Sequence, residues 1–424
     1  MKDRSSGRDL EGAHSESQRG FDPSWRRTLV VVGLAGFVAL AGFSMVIPFM
    51  PFYIQELGVS DPDQVKIWSG LVLTGHAVTM SIFAPIWGSL ADRFGRKVML
   101  ERALFSGTVV LALMAFARNA QQLVALRVLQ GCLTGTSSAA TALVAGVVPR
   151  ERVGSALGAL QMGVFAGISV GPLIGGVIAD TLGYRASFLC TAACLFLAAV
   201  AVLFLVQEGF KPSYSRPDAP RTHLWIGLGR SLRSPGLRVV MAARLLVQTS
   251  MRATMPVLPL YVAALLPPSS RVATMAGVVV AISAVSSSVA AGILGRLSDR
   301  VGHQLVFVTS SVAASVFYAL QAMATNLNQM MLLQAGLGMA LAGTLAATLA
   351  LLATLTPDGQ QGSVYGVDTS VMSVANALGP LLGTSLAVMI GIRASFGLAA
   401  GMLSLASGIL VLYRSLLLDR AYEI

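Results

Sequence analysis

Gly88-Ser-Leu-Ala-Asp92-Arg93-Phe-Gly95 returns as Gly295-Arg-Leu-Ser-Asp299-Arg300-Val-Gly302, 207 residues further along the chain. Three more strings return at an offset of 208. Pro48-Phe-Met-Pro51-Phe-Tyr53 becomes Pro256-Val-Leu-Pro259-Leu-Tyr261. Gly171-Pro172-Leu-Ile-Gly175 becomes Gly379-Pro380-Leu-Leu-Gly383, and Gly183-Tyr-Arg185-Ala-Ser-Phe188 becomes Gly391-Ile-Arg393-Ala-Ser-Phe396. Matches in one order at nearly one spacing mark an internal duplication.

The repeated unit is mostly apolar chain. Of the 424 residues, 55% are hydrophobic and only 12% are charged, against roughly 25% charged in an average soluble domain. So few charges cannot cover a protein of this size in water, which makes the bilayer the solvent. Apolar runs long enough to cross about 30 Å of hydrocarbon as helices fall at 28–53, 66–90, 98–117, 122–147, 154–180, 186–207, 237–265, 272–295, 304–325, 329–355, 362–390 and 394–414. Barrel strands would alternate polar and apolar residues. Leu195 to Val206 does not alternate. The expected fold is an all-α integral membrane protein with twelve transmembrane helices in two six-helix halves.

An even number of spans per repeat gives both halves one topology, related by an axis along the membrane normal, with substrate bound between them near mid-membrane. The expected layout is a tail at 1–27, a six-helix bundle at 28–207, a linker at 208–236, a second bundle at 237–414 and a tail at 415–424. The linker carries Lys211, Arg216, Arg221, Arg230 and Arg233. With the N-terminus inside, cytoplasmic segments hold 21 of the 30 Lys and Arg, and the outer loops hold only Lys66, Arg118, Arg185, Arg271 and Arg393. That bias sets orientation, with both termini cytoplasmic. It also explains the net charge of +11 without nucleic acid. The first apolar run is too long for a signal-peptide core and is expected to remain as the first span.

Cys132, Cys190 and Cys194 all fall inside predicted spans, with no disulfide or metal spacing. Gly167-Ile-Ser169-Val-Gly171 fits a serine-hydrolase pattern, but that chemistry needs a strand-turn-helix elbow, and here the serine sits in a membrane helix. There is no HExxH, and none of the four lysines completes a phosphate loop. Neither an enzyme nor a cofactor is expected, so an ion or substrate gradient must drive any transport.

The Gly88–Lys97 string, with Asp92, Arg93 and Arg96 around Gly95, resembles the signature loop of the major facilitator superfamily. Arg127-Val-Leu-Gln130-Gly131 resembles the family's second motif. Gly167 to Gly176, with Gly171, Pro172 and Gly175, resembles its third, the antiporter motif. Met45 to Tyr53 and Trp68-Ser69-Gly70 are similar to the MdtG-like branch of its drug:proton antiporters. The resemblance implies that Gly88, Asp92, Arg93, Gly95, Arg96, Asp299 and Arg300 latch the halves. It implies that Gly167, Gly171, Pro172 and Gly175 form a gate. Met331 and His303 stand where the second half would repeat basic residues, so its latch carries less charge.

Charges within spans are functional candidates because each costs about 2.5–3.5 kcal/mol to insert at mid-helix. Arg244, Gln248 and Arg252 recur every fourth residue, on one helix face. In the family the first, fourth, seventh and tenth helices line the cavity. This places Arg127, Gln130, Arg244, Gln248, Arg252 and Gln334 there, with Phe37, Phe43, Met251 and Met255 as soft apolar surface. Those helices carry arginine but no acid in their interiors, which points to anionic or zwitterionic amphiphiles over lipophilic cations. Asp368 is the clear acid within a span and the first proton-carrier candidate, followed by His76 and Glu56. The overall expectation is a monomeric cell-membrane exporter of small amphipathic compounds in exchange for protons. A lipid or glycolipid flippase, or a nutrient importer, stays open.

Overall fold

A computed structural model gives the fold and describes residues 24–133, 135–149, 152–207, 234–267, 271–356 and 361–413. The C-terminal tail, and most of the N-terminal tail and of the 208–236 linker, lie outside these residues. The described elements are helices in the order α1 (Ser24–Met45), α2 (Met50–Glu56), α3 (Pro62–Phe94), α4 (Arg96–Ala115), α5 (Ala120–Leu133), α6 (Thr136–Val147), α7 (Val153–Leu182) and α8 (Tyr184–Leu205). The second half continues with α9 (Pro235–Thr254), α10 (Leu258–Ala264), α11 (Val272–Val301), α12 (His303–Ala322), α13 (Leu327–Thr354), α14 (Gln361–Met389) and α15 (Ile392–Leu412). A 3-10 turn at Ile47–Phe49 joins α1 to α2.

Among the described residues, ten segments are by themselves long and apolar enough to cross a membrane. The pairs α5–α6 and α9–α10 take the two remaining places, the fourth and seventh spans of the predicted twelve. Helices satisfy their own backbone polar groups, which is why they can stand in hydrocarbon. The breaks have local causes. Pro48 and Pro51 interrupt the first span, and Pro256 and Pro259 the seventh, because proline donates no backbone hydrogen bond. The fourth span breaks at Gly135, whose φ of 148° favours glycine.

The duplication is legible in side-chain geometry. The rings of Tyr53 and Phe188 lie 5.1 Å apart at 50°, and those of Tyr261 and Phe396 lie 5.2 Å apart at 50°. Tyr53 Oη donates to the Met114 carbonyl at 2.7 Å, and Tyr261 Oη to the Gln321 carbonyl at 2.9 Å. Gly95 and Gly302 turn the α3–α4 and α11–α12 corners with φ of 101° and 98°. Each half has its own buried core, one around Leu100, Leu104 and Leu123, the other around Phe307, Leu352 and Leu403.

Candidate functional site

The halves meet along two helix pairs, α3 with α14 and α7 with α11. The hydrogen bonds across these seams cluster toward one end. Lys66 Nζ donates to the Ala387 carbonyl at 3.3 Å, and Thr74 Oγ1 to the Ala377 carbonyl at 3.0 Å. On the other seam, the Asp180 carboxylate accepts the backbone N–H of Thr274 at 2.6 Å and of Ala273 at 3.3 Å. These two latches occupy related positions of the repeat with opposite polarity. Asp180 meets the positive N-terminus of α11, and Lys66 meets the negative C-terminus of α14, each the favourable sign for a helix dipole. Gly176 lies against the backbone of Thr274, and Gly277 against that of Pro172, so the second seam is closed backbone to backbone.

The opposite end carries both glycine-rich corners. There a Cβ on Gly88, Gly158, Gly292 or Gly295 would meet open space. Asp299 and Arg300 are exposed. Arg93 stacks over the Phe94 ring at 5.4 Å, and Arg96 Nη1 donates to the Ala142 carbonyl at 2.7 Å, tying the corner to α6. The side chain of Asp92 lies outside the described residues.

The four-residue glycine ladder of α7 faces α1 within the first half. A Cβ on Gly163 would stand 3.3 Å from the Gly33 carbonyl oxygen, Gly167 lies against the backbone of Phe37 and Ala41, Gly171 against Ala41, and Gly175 against Met45. In the second half Gly379 and Gly383 pack on Thr249 and Ala253 of α9 in the same way. Small residues at this spacing let membrane helices approach closely. The glycine ladder thus makes a tight joint inside each half, and Pro172 with Gly176 faces the other half.

The buried charges are largely spoken for. Arg127, almost wholly buried, donates through Nη1 to Gln130 Oε1 at 3.0 Å. Arg244 on α9 forms an ion pair with Asp368 on α14, both buried. Arg252 reaches the Met255 sulfur at 3.7 Å and has no carboxylate partner among the described residues. Gln248 is buried on the same helix and Met251 half-buried beside it. Gln334 accepts from Gln321 Nε2 of α12 at 2.8 Å, turned into the second half. Glu56 sits near the surface beside Arg185 at 3.4 Å. Phe37 is half-buried on α1.

A cavity of about 680 Å³ opens beside these groups. Phe43, His76 and Gln130 line it, with Thr369 of α14 on its far side. His76 is 6% exposed, and its ring lies 5.1 Å from that of Phe43. Ser106 and Gly107 of α4 and Leu195 of α8 complete the wall. The sequence reading missed these last three because it searched for charge on four helices, and they are small or apolar residues on two others. The glycine that breaks the fourth span was the one available signal.

The chain matches the family model of the Major Facilitator Superfamily over residues 32–267 and 240–421. It is 34% identical over 381 residues to the multidrug resistance protein MdtG of Proteus mirabilis, covering 89% of this chain and 94% of that one. It is 35% identical over 378 residues to MdtG of Yersinia enterocolitica, covering 89% and 90%. Among solved structures it is similar to the nucleoside transporter NupG, with TM-score 0.77 at 12% identity over 91% of this chain and 99% of that one. It is also similar to a bacterial homologue of the human lysosomal transporter Spinster, with TM-score 0.73 at 15% identity over 94% and 99%. At those identities the structures establish the fold alone. Family model, duplicated six-helix halves and apolar spans agree: this chain is a multi-pass membrane transporter that belongs to the Major Facilitator Superfamily.

Proposed function

We propose that the protein is a secondary active exporter that moves small amphipathic compounds out of the cell in exchange for protons, by alternating access. The relatives named as multidrug resistance proteins support the drug class. The observation that carries the coupling is the buried Arg244–Asp368 pair. Ionised together, the two side chains neutralise each other in an apolar interior. A proton arriving on Asp368 removes the negative partner and leaves Arg244 charged and alone. Stranding one member of a buried pair costs about 3–5 kcal/mol, enough to drive a change between two packed states. His76 and Glu56 stand behind Asp368 as carriers. Glu56 is the weaker of the two because it already sits near the surface with Arg185.

The basic-residue bias puts the glycine-rich corners and both termini in the cytoplasm of a bacterial-type inner membrane. In that orientation the Asp180 and Lys66 latches close the outer end, and the described state opens inward. The Gly88–Arg96 corner and the Asp299–Arg300 corner would close in the opposite state, and Pro172 with Gly176 would part. Each protein works as a monomer. The test is dye accumulation in inverted membrane vesicles from cells expressing the protein. The reading expects accumulation on energisation that collapses with a protonophore. Equal accumulation in de-energised vesicles would overturn it.

A further inference from the structure

The cavity does not lie on the axis between the halves alone. It reaches behind the broken fourth span, between α4, α5–α6 and α8, where Ser106, Gly107 and Leu195 form its inner wall. The break at Gly135 makes this possible, since Leu133, Gly135 and Thr136 all border the space. Among the described residues that line it, none carries a carboxylate, an ammonium or a guanidinium. Arg102, next in sequence to the lining Ala103, stacks over the Trp87 ring at 3.4 Å, while Arg127 is bonded to Gln130 and Arg244 to Asp368. A charged group entering this space would lose its water without gaining a counter-charge, which is strongly unfavourable.

One polar side chain on the lining carries a buried atom without a partner. His76 is more than nine-tenths buried, lines the cavity, and its Nδ1 makes no hydrogen bond. In the Nε2–H tautomer of the neutral ring, Nδ1 is an acceptor. Phe43 stands beside the imidazole at 5.1 Å between ring centres, offering an aromatic face next to the acceptor.

Deepening the export reading and resting on it, we infer that this first-half lobe is a binding subsite for the uncharged ring system of a substrate, with an N–H or O–H group donated to His76 Nδ1. Charge on the substrate stays outside the lobe. The lobe sorts compounds by ring size and by the presence of a donor, and it places recognition in the first half.

The test uses the full-length protein in nanodiscs and three matched probes: neutral 2-naphthamide, anionic 2-naphthoate and cationic 2-naphthylmethylammonium. Equilibrium binding is measured for the unmodified protein, Gly107→Phe, Gly107→Ala and His76→Ala, with Gly408→Phe on α15 as a control because a Cβ there meets open space. A Cβ at Gly107 has only Leu195 Cδ1 at 3.7 Å, so alanine fits and the larger ring projects into the lobe. The inference expects naphthamide to bind best. It expects Gly107→Phe to weaken it at least tenfold, Gly107→Ala to weaken it less, and His76→Ala to weaken naphthamide more than the donor-free analogue 2-methylnaphthalene. Undiminished binding to Gly107→Phe, in protein whose thermal melt matches the unmodified protein, would overturn it. So would a preference for either charged probe that Gly107→Phe leaves intact. If the lobe fails in this way while proton-driven dye export persists, the inference falls and the export reading stands. If the lobe binds as expected but no substrate moves with protons, the export reading falls instead.

Discussion

At the scale of single residues, Asp368 and Arg252 separate two jobs. Asp368 is locked to Arg244, and Asp368→Asn keeps the shape of the side chain while removing its ability to load and release a proton. The expected outcome is loss of uphill export with downhill exchange retained, measured by counterflow in liposomes with and without a pH gradient. Concentrative export by Asp368→Asn would move the carrier to His76 or Glu56. Arg252 has no such partner among the described residues, so a substrate anion is the natural relief of its charge. Arg252→Gln should lower export of an anionic dye several-fold more than that of a neutral one, and equal losses would make Arg252 a packing residue. The sequence picked out both residues because charge inside a span is rare. It could not pair Arg244 with Asp368, which lie far apart in the chain, or show that Arg127 is already occupied by Gln130, three residues along the same helix.

The glycine ladder of α7 was readable as a close-approach surface, but not the identity of its neighbour. Periodicity marks a face and says nothing about which helix covers it. The face packs on α1, and at Gly175 a Cβ would stand 2.7 Å from the Met45 Cα. Even alanine therefore overpacks this joint, at a cost of about 1–3 kcal/mol. Gly175→Ala is expected to lower both thermal stability in detergent and transport. Gly158→Ala on the same helix, where a Cβ meets open space, should leave both within error. Equal behaviour of the two variants would contradict the packing account. The break in the fourth span shows the limit from the other side. Predicted as one run over 122–147, it divides at Gly135, since hydropathy registers composition and not backbone direction.

Across the whole molecule, the duplication made the fold legible, because four strings at nearly one spacing fix two equivalent halves before any helix is drawn. The state of the assembly was not legible, since it depends on contacts between halves that the repeat leaves unspecified. Those contacts include Asp180 on the α11 N-terminus and Lys66 on the α14 C-terminus. Asp180→Asn should loosen this end. Spin labels at Leu182→Cys and Arg271→Cys, in a background lacking the three native cysteines, should report a longer mean distance in the variant. An unchanged distance distribution would remove Asp180 from the gate. The corner at the other end should act on rate and not on choice, so Asp92→Asn is expected to slow every substrate by a similar factor in a dye panel. Loss of one substrate with another spared would count against that. The central claim is that compound and proton move in opposite directions through one protein. Liposomes loaded with a neutral aromatic export substrate, diluted into compound-free buffer at equal pH, test it with a lumenal pH dye. The account predicts that the lumen acidifies as the compound leaves, and that Asp368→Asn abolishes the acidification while compound still exits. Protein-dependent exit with lumenal pH unchanged, or lumenal alkalinisation, would contradict it.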